Sequence, residues 1–171
     1  MDKETKEYIR ARMEEIKSIC KSMNLTVDIL DFEETTIPTA FISMKNDGGD
    51  EEVVVTCNLI PMRLDEVSAL FLQFYMCISA DVGEEKIDEV NEFVKKQNEH
   101  FMIGNLMVFE NCVFIKNAIY LNTNNGMNQE EFERSLDVFI YQAGIMLEKI
   151  QLLIGGEETV EDLILSGSLF V

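Results

Sequence analysis

Histidine is nearly absent from this sequence, and its scarcity removes several catalytic chemistries. His100 is the single histidine, so a Ser-His-Asp triad, a Cys-His dyad or a histidine metal site would have to use it. The sequence also lacks the glycine motifs that bind phosphates and dinucleotides, the GxSxG motif and the HExxH motif. Because His100 stands at the end of a predicted helix, where the helix dipole favours a histidine, we interpret it as a structural residue.

Cysteine is sparse and dispersed. Cys20, Cys57, Cys77 and Cys112 form no CxxC pair, so their spacing indicates neither a zinc site nor a thioredoxin-like redox pair. Residues 1–4 are charged, unlike a signal peptide, so we expect a cytoplasmic protein with reduced thiols, no disulfide and no bound metal. No apolar run reaches the roughly 18 residues that cross a membrane.

Positive charge is scarce as well. There are 14 lysines and arginines against 32 aspartates and glutamates, which gives a net charge of −18. Such a protein has no cationic field to neutralise phosphates, so we predict no nucleic-acid partner and no membrane partner. The hydrophobic fraction of 47% is ordinary for a globular protein, and the chain is long enough to bury a core.

Apolar residues at helical spacing predict four helices. The first covers residues 3–23. The second begins at Asp81, which forms a capping box with Glu84 three residues later. The third and longest covers residues 128–154 and ends at two glycines, and a short fourth helix covers residues 159–165.

Alternating apolar residues and β-branched runs predict six strands, at residues 25–32, 37–44, 51–60, 67–79, 101–109 and 112–121. Residues 46–50 are a strong turn signal between the second and third strands. Pro61 is expected to end the third strand, because proline cannot donate to a sheet ladder. Glu110 and Asn111 form the expected tight turn between the last two strands.

The order of these elements is typical of an α+β fold. Strands joined by hairpin-length links form a largely antiparallel sheet, here of five or six strands, with the helices packed mainly on one face. The sequence contains no repeat, low-complexity segment or linker. We therefore predict a single α+β domain over residues 1–171, in which residues 155–171 form a short C-terminal helix and an apolar tail.

Three short motifs lie in the second half of the chain. They are Asn91-Glu92-Phe93 through Asn98, then Phe101-Met102-Ile103-Gly104, then Asn128-Gln129-Glu130-Glu131-Phe132. Through them, residues 80–154 resemble the YbjN-like family, in which a helix ending in asparagine leads into a strand with an early glycine. The resemblance implies a type III secretion chaperone-like fold, dimer formation and a non-enzymatic role.

Three groupings suggest a metal or catalytic site, and each has a structural explanation. Residues 47–52 offer the oxygen ligands of a calcium loop, but two central glycines between strands are typical of a hairpin turn. Cys112 and His100 are a possible nucleophile and base, but the predicted hairpin separates them by roughly 30 Å. Among 32 carboxylates chance pairs are expected, and none lies in a motif. We predict no catalytic, metal or cofactor residue.

The second face of the predicted sheet is more apolar than a solvated surface requires. On the fourth strand, alternate residues from Leu70 to Ile78 form the face that takes the helices. The residues on the opposite face, together with the apolar tail, form a candidate partner or dimer face: Phe71, Tyr75, Cys77, Phe114, Ala118, Tyr120, Leu169 and Phe170. Either the fourth helix and the tail cover this face, or it is an interface.

We expect from this an acidic, non-enzymatic binding protein, chaperone-like or adaptor-like, that forms a homodimer. It would capture a protein or peptide partner on the apolar sheet face or in a groove beside it. An immunity-type inhibitor of a basic toxin is an alternative. A carboxylate-based hydrolase is the alternative from the enzyme class, and a deep polar cleft with two converging carboxylates would favour it. No cofactor is expected.

Overall fold

A computed structural model describes residues 1–45, 52–64, 67–79, 82–101, 104–121 and 127–165. The helices are α1 (Lys3–Ser22), α2 (Ile87–His100), α3 (Gln129–Gly155) and α4 (Val160–Leu165). The strands are β1 (Thr26–Leu30), β2 (Thr39–Lys45), β3 (Glu52–Leu64), β4 (Val67–Ser79), β5 (Asn105–Phe109) and β6 (Cys112–Leu121). This is the order of elements that the sequence predicts.

The strands form an antiparallel six-stranded sheet in the order β1-β2-β3-β4-β6-β5, and the fold class is α+β as predicted. β1 and β5 are therefore the edges of the sheet. The predicted turn between the last two strands is confirmed, because Phe109 pairs with Cys112 across Glu110 and Asn111. Both turn residues have positive φ, 47° and 61°, as a two-residue type I′ hairpin requires.

The prediction that Pro61 ends β3 is wrong. β3 continues to Leu64, and Pro61 lies opposite Leu70 of β4. The pairing between β2 and β3 ends at Asn58, so β3 has no β2 partner at position 61. Proline is tolerated there because its missing N–H would face a locally open edge.

The predicted start of the second helix is also wrong. α2 begins at Ile87, and Lys86 at its N-cap makes no side-chain capping hydrogen bond. Before it, the Val82 N–H donates to the Asn111 carbonyl at 2.8 Å, which holds this segment against the hairpin turn. Asp81 lies outside the described residues, as do the predicted turn at residues 46–50 and the apolar tail.

The chain divides into two compact units. Unit 1 comprises Met1–Tyr75 and Ala118–Asp137, and unit 2 comprises Met76–Asn117 and Val138–Val171. The division lies within β4, β6 and α3 rather than at a linker. The single domain over residues 1–171 stays a prediction.

Unit 1 is built around α1, which packs against β1, β2 and β3. The helix buries its predicted apolar stripe, which includes Ile9, Met13, Ile16 and Cys20. The buried residues of the sheet in unit 1 alternate along the strands: Ala40, Ile42, Val55, Cys57, Leu59, Leu72 and Phe74. Burial of this kind contributes about 1.5 to 3 kcal/mol for each large side chain.

Unit 2 packs α2 against β5 and α4 against α2. Its core takes Val90 and Phe93 from α2, and Val113 and Ile115 from β6. The part of α3 that belongs to this unit buries Phe139, Ala143, Met146, Ile150 and Leu153. Lys149 is buried beside them and donates its Nζ proton to the Leu163 carbonyl at 2.9 Å, which attaches α4 to α3.

Candidate functional site

The sheet surface opposite the buried side chains is called the outer face here. The alternation predicted for β4 is confirmed, because Leu70, Leu72, Phe74 and Ile78 are buried. The intervening residues of the predicted candidate face are more accessible: Phe71, Tyr75 and Phe114 are half-buried, and Cys77, Ala118 and Tyr120 are exposed. Leu169 and Phe170 lie outside the described residues.

In unit 1, the outer face carries an aromatic pair. The rings of Phe71 and Tyr120 meet edge to face, with centroids 5.8 Å apart and planes inclined by 68°. Tyr120 nevertheless keeps 57% of its surface exposed. Ile60 lies opposite Phe71, and Met62, also on this face, is exposed. Ile60, Met62, Phe71, Tyr75 and Tyr120 are called the unit 1 patch.

A polar pair lies on the same face beside the unit 1 patch. Asn58 and Gln73 are opposite each other on β3 and β4. The Asn58 side-chain oxygen is buried and has no hydrogen-bond partner among the described residues. An unsatisfied buried acceptor costs about 1 to 3 kcal/mol. Because this oxygen is inaccessible, it is a local cost of folding rather than a contact point for a partner.

In unit 2, the outer face carries a second apolar group. Cross-strand partners share a face, so Met107 lies beside Phe114, and Phe109 beside Cys112. Phe109 is 57% exposed and Met107 38% exposed. Cys77, Met107, Phe109 and Phe114 are called the unit 2 patch. Met107 and Phe109 are absent from the predicted site, although the predicted Glu110-Asn111 turn already fixes their register with β6.

A cavity of about 600 Å³ lies in unit 1 beside Tyr120. Its lining includes the apolar residues Leu72, Ile119, Leu121, Met127 and Phe132. Its polar residues are Tyr120, Asn128, Glu131, Arg134 and Ser135. Arg134 pairs with Glu130, Ser135 Oγ donates to the Glu131 carbonyl, and the Glu131 N–H donates to Asn128 Oδ1. The volume is that of an ordinary ligand pocket, and the mixed lining suits a group with both apolar and polar parts.

The titratable groups of the described chain fit structural roles. The pKa of Asp31 is lowered by hydrogen bonds from Arg10, which also lies over the Phe32 ring. Thr159 lowers the pKa of Asp162 in the same way, through a capping pair at the start of α4. Among the described residues, no group of three or more His, Cys, Asp or Glu side chains is placed to hold a metal ion.

Asn98 protects the edge strand of unit 2. Its side-chain amide donates to the Leu106 carbonyl at 2.9 Å and accepts the Leu106 N–H at 2.7 Å. Both groups belong to Leu106 of β5, whose outer side has no neighbouring strand among the described residues. The asparagine side chain therefore occupies backbone groups that would otherwise accept an added strand.

Gly104 allows the chain to enter β5 closely packed against β6. Its φ is +85°, and an added Cβ would lie 2.5 Å from the Lys116 carbonyl oxygen. Only glycine fits this position without strain. Asn98 and Gly104, on which the family resemblance rests, thus have definite physical roles in this fold.

We expect the four thiols to react at three different rates with a thiol reagent near pH 8. Cys77 is exposed and should react first, and half-buried Cys112 should follow. Burial raises the pKa of Cys20 to about 11 and also raises the pKa of Cys57, so both should react only as the protein unfolds. Stopped-flow absorbance should show the fast phase vanish in Cys77→Ser. Four equal rates would contradict this assignment.

No family model matches this chain, and neither a curated protein nor a solved structure matches it. The YbjN-like resemblance therefore stays a prediction. α3 is long and apolar enough to cross a membrane, with a mean hydropathy of 1.3 over its most apolar 18 residues, although 39% of that window is buried within the protein. The sequence prediction overlooked this window because a few charged residues interrupt its apolar runs.

Proposed function

We propose that this protein is a non-enzymatic, acidic binding protein, chaperone-like or adaptor-like, that captures an apolar segment of a partner protein on the outer face of its sheet. The observation that carries the proposal is the unit 1 patch. Tyr120 is 57% exposed although its ring packs on Phe71, and a cavity lined by both apolar and polar residues lies beside it. Exposed aromatic anchors next to a pocket are typical of interface hot spots.

The composition of the outer face supports binding rather than simple solvation. Strand alternation places Thr39, Phe41, Thr56, Asn58, Ile60, Met62, Phe71, Gln73, Tyr75, Ala118 and Tyr120 on this face of unit 1. None of these residues is charged, but the same face also carries Asp28 on β1 and Lys45 at the end of β2, so charge is absent from the centre of the face rather than from the whole of it. Depletion of charge with enrichment of aromatic residues and methionine is the signature of an interface core.

Binding is expected to proceed in two stages. The net charge of −18 steers a basic partner toward the protein, and this stage weakens as salt rises. Apolar side chains of the partner then pack on Phe71 and Tyr120, whose rings already contact each other. The homodimer that the sequence predicts is a competing occupant, and mutual repulsion between two copies of this charge opposes it at low salt.

The test is suppression of aggregation of a reduced, unfolding client. Reduced lysozyme is a basic client and reduced α-lactalbumin is an acidic one. We expect this protein to protect lysozyme more strongly, with an advantage that falls between low and moderate salt. Tyr120→Thr and Phe71→Thr each keep a residue of high β propensity but remove an aromatic ring from the binding surface. We expect about tenfold more of either variant than of the wild type to be needed for equal protection of the client.

Tyr8→Gln is the matched control, because Tyr8 is a half-buried tyrosine of α1, the helix that packs on the opposite face of the sheet in unit 1. It should protect the clients as well as the wild type does. Thermal unfolding of each variant confirms that the fold is retained. Equal protection by wild type and by both threonine variants would refute the sheet face as the binding site.

A further inference from the structure

The α3 helix carries a second apolar stripe that faces away from the core of unit 2. Val138 is 47% exposed and Tyr141 66% exposed, and Ile145 follows one turn later as a half-buried residue. The ten residues from Val138 to Leu147 include no charged side chain. Surface helices ordinarily place polar residues opposite their buried stripe. Within the part of the chain that the structure describes, this segment of α3 therefore has an unpartnered apolar face in addition to its buried one.

Gly144 lies in the middle of this exposed face. It is exposed, and nothing stands within 4 Å of the position that its Cβ would take. The fold of this chain does not require a glycine there, although glycine in a helix interior costs about 1 kcal/mol relative to alanine. A missing side chain at the centre of an apolar stripe allows another backbone to approach the helix closely.

The charge around the stripe favours a cationic occupant. Between Val138 and Gly155 the only charged residues are Glu148 and Lys149. Glu148 is exposed about one turn beyond Gly144, whereas Lys149 is buried and donates to the Leu163 carbonyl. The exposed surface of this segment is thus apolar with one negative charge, in a protein of net charge −18.

We propose that Val138, Tyr141, Gly144, Ile145 and Glu148 form a docking surface for a cationic amphipathic helix of another protein. The apolar stripe of that helix crosses α3 at Gly144, and one of its lysines or arginines meets Glu148. A second copy of this chain is a poorer occupant, because it would bring an equal negative charge to the same place. This surface goes beyond the sheet face, and together the two would make an adaptor that joins two partners.

The experiment uses the full chain and two synthetic helical peptides of about 18 residues. Both have leucines along one face, with lysines elsewhere in one peptide and glutamates in the other. Fluorescence anisotropy should show that the lysine peptide binds at least about tenfold more tightly and weakens with salt. Glu148→Gln should reduce both its affinity and its salt dependence.

Gly144→Gln is the decisive variant. The added side chain has room and restores helix propensity, so the fold is retained, but the close approach is blocked. We expect it to lower affinity for the lysine peptide about tenfold. Gly155→Ala, at another exposed glycine of α3, is the matched control and should not change affinity.

Three outcomes would overturn this proposal. Equal affinity of wild type and Gly144→Gln for the lysine peptide would show general charge attraction without a site. If sedimentation equilibrium showed a dimer and Gly144→Gln dissociated it, the occupant would be a second copy of this chain. If the protein bound zwitterionic vesicles and Gly144→Gln abolished that binding, the occupant of this surface would be a membrane. Tyr120→Thr should leave peptide affinity unchanged, which separates this surface from the sheet-face function.

Discussion

Gly104→Ala is expected to destabilise the protein by about 3 kcal/mol, a large fraction of the stability of an ordinary domain. Two costs combine at this residue. A side chain at a φ of +85° is strained, and its Cβ would lie 2.5 Å from the Lys116 carbonyl oxygen. The added Cβ is attached to the backbone next to β5, and the carbonyl oxygen belongs to the backbone of β6. Neither can move without disturbing the hairpin.

Gly156→Ala provides the control for Gly104→Ala. Gly156 also has a positive φ, +71°, but nothing stands within 4 Å of its Cβ position. The free energy of unfolding of Gly156→Ala should therefore fall only by the cost of the strained φ, about 1 to 2 kcal/mol. Denaturant unfolding of both variants separates the steric cost from the conformational one. Equal losses in the two variants would show that the approach to Lys116 relaxes without cost.

Asn98→Ala is expected to lose about 2 kcal/mol, because it leaves the N–H and the carbonyl of Leu106 without their partner. The Leu106 amide should then exchange its hydrogen much faster, since the protection comes from a side chain rather than from a neighbouring strand. The opened edge should also raise self-association at high concentration.

Asn98→Asp keeps the acceptor for the Leu106 N–H but removes the donor to its carbonyl. It should therefore retain amide protection at Leu106 while losing stability. Asn105→Ala, at an exposed neighbouring residue of β5, should change stability by less than about 0.5 kcal/mol. Unchanged Leu106 exchange in Asn98→Ala would contradict the role assigned to Asn98.

The fold follows from local pattern wherever one periodicity extends over a whole element. β4 and β6 have the predicted bounds because alternation and β-branched residues agree along their length. The end of β3 was mispredicted at Pro61, because a strand tolerates proline where it lacks a neighbour on that side. Where β2 stops pairing with β3 is set by tertiary structure and not by local sequence. Similarly, a capping pattern at Asp81 and Glu84 does not start α2, since the Val82 N–H is bonded to Asn111.

The candidate site could be predicted only in part. Alternation along β4 and β6 is sufficient to place Phe71, Tyr75 and Tyr120 on one face. Which of these side chains touch is a matter of register between strands that are distant in sequence, so the Phe71–Tyr120 contact needed the structure. Helical spacing predicts the buried stripe of α3 that runs from Phe132 to Leu153, and its residues are buried. The exposed stripe around Gly144 was missed because the exposure of the remaining apolar residues depends on what packs beside them, which is a tertiary fact.

The central claim, that a partner segment lies on the outer face of the sheet, is tested most directly by site-specific photo-crosslinking. A photoreactive phenylalanine analogue replaces Tyr120 on the outer face in one variant and Lys95, an exposed residue of α2, in another. With reduced lysozyme as the client, we predict strong crosslinking from position 120 and little from position 95. Equal crosslinking from both positions, or crosslinking from position 95 alone, would contradict the account.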